Sequence, residues 1–439
     1  MAKLLLDRNE HLSITIIIMK LPIDTKTSST SKKNPPDDNS RINYFEITPQ
    51  HDSRTRFMES QTATVRNAVM KMLVEGPKPS RLAGFVVDMF CTAMIDVANE
   101  LGAPSYIFFT SSAATLGLMF RLQGLSDYQN QDLAEYGNNP DAAISVPTYV
   151  NPVPAKVWPS LFLEKESGFL NLVRKFRETK GIIINTFLEF EPHAVKSLSG
   201  DQKIPPVYPV GPIIQTDNES QKHDGIIKWL DEQPDSSVVF LCFGSNGSFE
   251  TDQVNEIALA LGKSRHRFLW SLRKPPPGEK MELPGEYENP GDILPDGFLE
   301  RTVGIGKVIG WAPQMAVLSH PSVGGFVSHC GWNSILESVW CNVPVAAWPL
   351  AAEQQANAFQ LVKEFGIAAE IKMDYRKDCN VIVPAEKIEK AIRELMGPEN
   401  EGRAKVKVLN EKSRVVMAKG GSSYDFLGRF IDDVMDNIY

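Results

Sequence analysis

Paired cysteines are the first thing this chain lacks. Its five thiols, Cys91, Cys242, Cys330, Cys341 and Cys379, are odd in number and scattered, with no CxxC pair. That argues against a disulfide framework and leaves reduced, buried thiols. The seven histidines show no metal-ligand spacing, so neither a metal nor any other cofactor is expected. Basic residues are in the minority, with 46 Lys and Arg against 54 Asp and Glu and a net charge of −8. A nucleic-acid partner, which demands a basic face, is thereby disfavoured. No apolar run reaches the roughly 18 residues of a membrane-spanning helix. The longest near the start, "LSITIIIM" (12–19), is strand-length, follows the charged "LLLDRNEH" and precedes no small-residue cleavage site. A monomer in the cytoplasm, with no membrane partner, is the expectation. Short-period repeats are also missing, which excludes a solenoid.

What is present is a βα rhythm. A length of 439 residues exceeds one ordinary core, so two domains are expected. Short apolar runs alternate with helical-period segments, the mark of parallel βαβ units in an α/β protein. In the first half "SITIII" (13–18), "GFVVD" (84–88), "SYIFF" (105–109) and "GIIINTF" (181–187) read as strands buried on both faces. Between the first two strands, "TKTSSTSKKNPPDDNSR" (25–41) reads as a surface loop. "TAMIDVANELG" (92–102) reads as a helix closed by Gly102. A second series begins with "SVVFLCFG" (237–244) and continues through "HRFLWSLR" (266–273), "GKVIGW" (306–311), "GGFVSHC" (324–330), "VPVAAWP" (343–349) and "IAAEIK" (367–372). The Pro/Gly-rich "KPPPGEKMELPGEYENPGD" (274–292) reads as an excursion. These runs predict a domain over residues 1–210, a linker over 211–225 and a second domain over 226–421. Two Rossmann-like domains would face each other across a cleft, with ligands at the carboxyl ends of the strands.

One stretch concentrates polar chemistry at such an end. In "FVSHCGWNS" (326–334) a strand runs out at His329, Gly331 permits a tight turn, and a helix opens at the capping residues Asn333 and Ser334. A helix start offers oriented N–H groups and a positive dipole end to phosphate. His329, Asn333 and Ser334 add side-chain donors. Glu337, one turn beyond Asn333, would repel phosphate but accept two hydrogen bonds from a ribose diol, so a nucleotide fits better than free phosphate. Strand–glycine–helix turns also occur as plain structure in α/β proteins, and by itself this one leaves both readings open. A dinucleotide-dependent dehydrogenase ranks far lower, because "CFGSNGSF" lacks the third glycine of GxGxxG.

The surroundings of that stretch decide the matter. "WAPQMAVLSHPSVGGFVSHCGWNSILESVWCNVPVAAWPLAAEQ" (311–354) closely resembles the signature box of plant family-1 UDP-glycosyltransferases, which glycosylate small secondary metabolites. "FLCFGSNGSF" (240–249), "GFVVDMFCTAMIDVANELGAPSYIFFTSSA" (84–113) and "YPVGPI" (208–213) are similar to other segments of that family. The resemblance implies the GT-B fold, a C-terminal helix (422–439) crossing back to the first domain, and UDP-glucose as co-substrate, with galactose or xylose as lesser donors. It assigns Trp311 to stacking on uracil, and Ala312 and Gln314 to the base edge and ribose. Glu337 would take the ribose hydroxyls, and His329, Asn333, Ser334 and Ser245 the diphosphate. Trp332, Glu353 and Gln354 would surround the sugar, with Thr110 approaching it. Residue by residue, core packing is the alternative for Trp311, and a first-turn helix carboxylate for Glu353.

Asp88 matches the family's aspartate that orients a catalytic histidine. That histidine, in a Gly-His turn after a first strand, has no counterpart here. His11 and His51 are poor substitutes. The resemblance therefore implies two sheet strands left without a partner and glucosyl transfer much reduced in the chain as given, so that a catalytically impaired UDP-sugar-binding protein is the alternative. The acceptor should be a small, flat, lipophilic hydroxyl compound such as a flavonoid, another phenol or a terpenoid. "TSSAATLGLMFRL" (110–122) and "SVPTYVNPVPAKVWPS" (145–160) are candidate acceptor linings, or else interdomain packing.

Overall fold

The computed structural model describes residues 1–19, 41–47, 57–75, 81–164, 168–215, 224–276, 283–379 and 381–438. His51, nearly all of the expected loop over 25–41, and the middles of the linker and of the Pro/Gly-rich excursion lie outside them.

In the first half, β-branched and aromatic runs form β1 (Ile14–Met19), β2 (Ile42–Ile47), β3 (Phe85–Asp88), β4 (Ser105–Phe109), β5 (Gly181–Ile184) and β6 (Val207–Pro209). Helices that matter below are α1 (Ala2–Arg8), α2 (Thr62–Glu75), α3 (Ala93–Glu100) and α4 (Ala113–Gln129). The strands make two separate parallel sheets, β1–β2 and β3–β4–β5–β6. The expectation that β1 and β3 are buried on both faces does not hold. No residue of β1 is fully buried, and in β3 only Val87 is, with Val86 48% exposed. The cause is pairing: among the described residues β3 is the outer strand of its sheet and β1 is bonded on one side only, whereas β5, paired on both sides, is wholly buried. β2 and β6 escaped the sequence reading. "INYFEI" carries polar and charged residues among its apolar ones, and "VYP" is a three-residue strand with a proline.

The second half is more regular. β7 (Val238–Cys242), β8 (Arg267–Ser271), β9 (Gly306–Ile309), β10 (Val323–Ser328), β11 (Val345–Ala347) and β12 (Ala368–Glu370) form one parallel sheet in the order β9–β8–β7–β10–β11–β12. Helix α5 (Thr251–Ser264) follows β7, α6 (Trp332–Trp340) follows β10, and α7 (Gln354–Phe359) follows β11. The chain winds outward from β7 and then returns to its other side with β10. Loops leaving β7 and β10 therefore diverge and open a crevice at the carboxyl edge of the sheet.

The last helix, α8 (Ser422–Met435), returns to the first half. Its Leu427, Phe430 and Ile431 share a core with Leu5 of α1, Tyr106, Ile183 and Tyr208. Its Asp433 accepts hydrogen bonds from the Tyr106 and Tyr208 hydroxyls, each at 3.1 Å, and pairs with Lys180 at 3.2 Å. The Arg8 guanidinium lies 3.4 Å from the centroid of the Tyr424 ring. Among the described residues no helix is long and apolar enough to cross a membrane.

Candidate functional site

The crevice is built from the ends of β7 and β10, which are paired through Cys242 and Ser328. Just beyond them, His329 is pressed between two glycines. A Cβ on Gly244 would stand 2.7 Å from its Nε2, and one on Gly331 2.5 Å away. Gly244 also has φ +73°, a conformation that L side chains rarely adopt. The imidazole is largely buried, Nδ1 has no hydrogen-bond partner of good geometry among the described residues, and burial pushes the pKa down to about 4. The nearby Cys242 backbone offsets this only in part. The ring is thus neutral at physiological pH.

The turn differs from the sequence reading in two ways. The left-handed residue is Cys330, at φ +60°, while Gly331 has φ −61°. Glycine is required at 331 by the close approach of His329. Helix α6 starts at Trp332 with Gly331 as its N-cap and no capping side chain. Asn333 and Ser334 are therefore first-turn residues, not caps, and the helix start presents uncapped N–H groups to the crevice. Ser245, after Gly244, is exposed on the facing loop.

Next to the turn lies a compact polar network. Gln314 Nε2 donates to Ser334 Oγ at 2.8 Å and to Glu337 Oε2 at 2.7 Å. Burial raises the Glu337 carboxyl above its ordinary range, and the Gln314 amide draws it part of the way back. Ala312 is buried, while Trp311 is 39% exposed, a large aromatic surface for a surface position. Its backbone N–H donates to Glu286 Oε1 at 2.9 Å, so a residue of the Pro/Gly-rich excursion fixes the backbone under the indole.

On the other side of the turn, Gln354 Oε1 accepts from the backbone N–H groups of Leu350 at 2.9 Å and Ala351 at 3.0 Å, which fixes the orientation of its amide. Glu353 occupies the N-cap position of α7, and its carboxyl is raised by burial against the pull of its own N–H, Asn357 and Ser111. Trp332, expected beside the sugar, has its indole packed into the seam between the two halves. It is 2% exposed, its indole donates to the Asn185 carbonyl at 2.8 Å, and it stacks on Phe190 at 5.5 Å and 16°. The indole N–H is thus bonded to the first domain.

Asp88 ends β3 and is exposed, accepting from Phe90 N at 2.9 Å. Among the described residues no histidine pairs with it. His11 is exposed, with Glu10 3.9 Å from its Nε2. Thr110 follows β4, half-buried, its hydroxyl 3.9 Å from the Met89 sulfur. Helix α4, proposed in part as an acceptor lining, is buried through most of its length and fills the core. In the second candidate stretch Tyr149 is buried against Phe359 (6.0 Å), an interdomain packing contact. Among the described residues no group of three His, Cys, Asp or Glu side chains is placed to hold a metal ion.

Several site-forming residues went unread in the sequence. Asn185, at the end of β5, donates from Nδ2 to Asn333 Oδ1 at 3.4 Å and accepts from Ile213 N at 2.8 Å. Glu191 is buried and accepts from Ala113 N, Ala114 N, Thr186 Oγ1 and Gln360 Nε2, at 2.6–3.0 Å. Asn357 and Gln360, one turn apart, face the first domain. The available signal was polar residues embedded in apolar runs, as in "GIIINTF" and "QQANAFQLV".

Comparison with known proteins agrees with this geometry. Residues 206–396 match the sequence profile described as UDP-glucoronosyl and UDP-glucosyl transferase. UDP-glucose flavonoid 3-O-glucosyltransferase 6 of Fragaria ananassa is 52% identical over 454 residues, covering 99% of this chain and 94% of the relative. A UGT transferase from Siraitia grosvenorii, solved in complex with UDP, superposes with a TM-score of 0.89 at 47% identity, over 99% of this chain and 95% of that one. Medicago truncatula UGT71G1, solved with UDP-glucose, gives 0.83 at 39% identity, over 99% and 94%. The fold is GT-B, two Rossmann-like α/β units with parallel sheets, and the chain belongs to the plant family-1 UDP-glycosyltransferases.

Proposed function

We propose that this protein transfers glucose from UDP-glucose, with inversion, to a hydroxyl of a flavonoid-like acceptor. The observation that carries the reading is the turn at β10: a neutral imidazole clamped by two glycines, beside an uncapped helix start, with the Gln314–Glu337 pair one turn on. A diphosphate fits the first two features and a ribose diol the third. In this reading Trp311 stacks on the uracil, with Ala312 at the base edge. His329, Ser245, Asn333, Ser334 and the start of α6 hold the diphosphate. Glu353 and Gln354 take the glucose hydroxyls, and Thr110 approaches from the first domain. Trp332 supports α6 from beneath. The names of the relatives, flavonoid and anthocyanidin glucosyltransferases among them, favour glucose and a flat phenolic acceptor.

In the transfer the acceptor oxygen forms a bond to the anomeric carbon as the bond from that carbon to the diphosphate oxygen breaks. The acceptor proton passes to a base, and the negative charge developing on UDP is met by the donors of the turn. UDP-glucose serves as co-substrate, and the chemistry calls for no cofactor and no metal. Asp88 would orient and stabilise an imidazolium base. Because no histidine pairs with Asp88 among the described residues, a second reading is kept: a UDP-sugar-binding protein impaired in transfer. Calorimetry with UDP tests the donor site, and turnover of UDP-glucose with a panel of flavonols and other phenols separates the readings. Micromolar UDP binding with turnover supports the first, and binding without turnover the second. Absence of UDP binding would sink both. Domain limits at 1–210 and 226–421 with a 211–225 linker, a monomeric state and a cytoplasmic location belong to the same proposal. Limited proteolysis, sedimentation and a fluorescent fusion check them.

A further inference from the structure

We infer that Asn357 is a positioning residue for the diphosphate turn and ties that turn to the other domain; this rests on the donor-site reading above. Cys330 sits between His329 and the N-cap Gly331 at φ +60°, a backbone region that disfavours any residue with a Cβ. Something must hold it there. Its side chain is fully buried, and its backbone N–H donates to Ser328 Oγ at 3.1 Å. Its carbonyl accepts from Asn357 Nδ2 at 3.0 Å. The orientation of that carbonyl sets the direction of the peptide leading into Gly331, and so of the helix start beside His329.

Asn357 is itself fully buried, and its other end belongs to the first domain. Oδ1 accepts from Thr115 Oγ1 at 3.2 Å and from Ser112 Oγ at 3.5 Å, both at the start of α4. Hydroxyl groups that donate to Oδ1 fix which way the amide points and direct Nδ2 at Cys330. One side chain thus reads the position of α4 and transmits it to the backbone next to His329. Gln360, on the same face one turn later, makes a parallel tie to the Glu191 that holds the first N–H groups of α4. Domain apposition and a competent diphosphate turn are thereby coupled.

The test compares wild type, Asn357→Asp, Thr115→Val and the double variant Asn357→Asp/Cys330→Gly. Each is measured for UDP affinity by calorimetry and for kcat and KM with UDP-glucose, with near-UV circular dichroism to confirm folding. Asn357→Asp keeps the size and the acceptor but loses the donors to Cys330 and to the Glu353 carboxyl; read with UDP, which lacks the sugar that Glu353 would meet, the affinity should fall at least tenfold. Thr115→Val, a change in the first domain that removes a donor to Asn357 Oδ1, should weaken it several-fold and raise KM for UDP-glucose more than KM for the acceptor. Glycine adopts a positive φ without support, so Cys330→Gly should recover most of the affinity lost in Asn357→Asp, a recovery that a merely structural role would not give. Wild-type UDP affinity in folded Asn357→Asp and Thr115→Val, or no recovery in the double variant, would overturn the inference. If Asn357→Asp does not fold, Thr115→Val decides. A wild-type chain that fails to bind UDP at all removes the donor-site reading instead.

Discussion

The buried imidazole of His329 makes a quantitative prediction. An ordinary histidine titrates near 6.5, while burial in this crevice lowers His329 to about 4. At about 1.36 kcal/mol per tenfold, protonating the ring in the folded protein costs about 3 kcal/mol more than in the unfolded chain. The sign follows from linkage. A histidine held neutral by folding stabilises fully above 6.5, and that stabilisation is lost as pH falls from 6.5 towards 4. Between pH 8 and pH 5 the loss comes to about 2 kcal/mol. Glu191, Glu337 and Glu353, raised by burial, work in the opposite sense, stabilising on acidification, so total stability is the wrong observable. The ring itself should be watched, by NMR of histidine labelled with carbon-13. The resonance missing from His329→Gln should stay at its neutral position from pH 8 to pH 5. Addition of UDP should raise its titration point, because an adjacent diphosphate favours the imidazolium. A His329 signal that titrates near 6.5 in the free protein would refute the picture of a ring sealed between Gly244 and Gly331.

Three further perturbations probe separate parts of the site and fold. Gly331→Ala is permitted by its φ of −61°, yet its Cβ would stand 2.5 Å from His329 Nε2; displacing the ring should cost about 1–3 kcal/mol of stability and at least a tenfold loss of UDP affinity by calorimetry. Glu337→Gln preserves size but removes the double acceptor, so KM for UDP-glucose should rise about tenfold with kcat little changed, and the preference for ribose over 2′-deoxyribose in the nucleotide should shrink; an unchanged preference would remove Glu337 from the ribose. Asp433→Ala strips the partner from the Tyr106 and Tyr208 hydroxyls and from Lys180; denaturant unfolding should show a loss of about 1–3 kcal/mol, and none would mean that α8 is held by its apolar face alone.

The sequence revealed most where chemistry is local along the chain. Apolar runs located β7 to β12; of these β7, β8, β10 and β11 lie between two neighbours and are buried along nearly their whole length, while β9 and β12 are the edges of the sheet and only partly buried. "FVSHCGWNS" was legible for the same reason: strand end, turn and helix start occupy nine consecutive residues. Legibility failed where pairing, not composition, decides burial. β1 and β3 carry the sequences of interior strands but lie at sheet edges, and nothing in "SITIII" or "GFVVD" records which neighbour is present. It failed also in the turn itself, where glycine was credited with the positive φ that Cys330 in fact carries. The glycine was needed for space beside an imidazole, a reason visible only once both are in place.

The interdomain seam shows why the setting of the Trp332 indole is not legible in the sequence. Its partners, Asn185 and Phe190, are more than 140 residues away in the chain, and no local pattern tells an indole facing a sugar from one facing another domain. The same separation applies to Asn357 with Ser112 and Thr115, and to Gln360 with Glu191. Yet these contacts are chemically constrained, because each is a buried polar group that costs about 1–3 kcal/mol if left unpaired. They tolerate little sliding, and domain displacement would break several together. The donor crevice of the second sheet is therefore not a feature of that sheet alone. Helix α6 rests on Asn185 and Phe190, and the turn before it hangs from an amide aligned by α4. The second domain supplies the groups that would meet the nucleotide, while the first fixes the angle at which they are held.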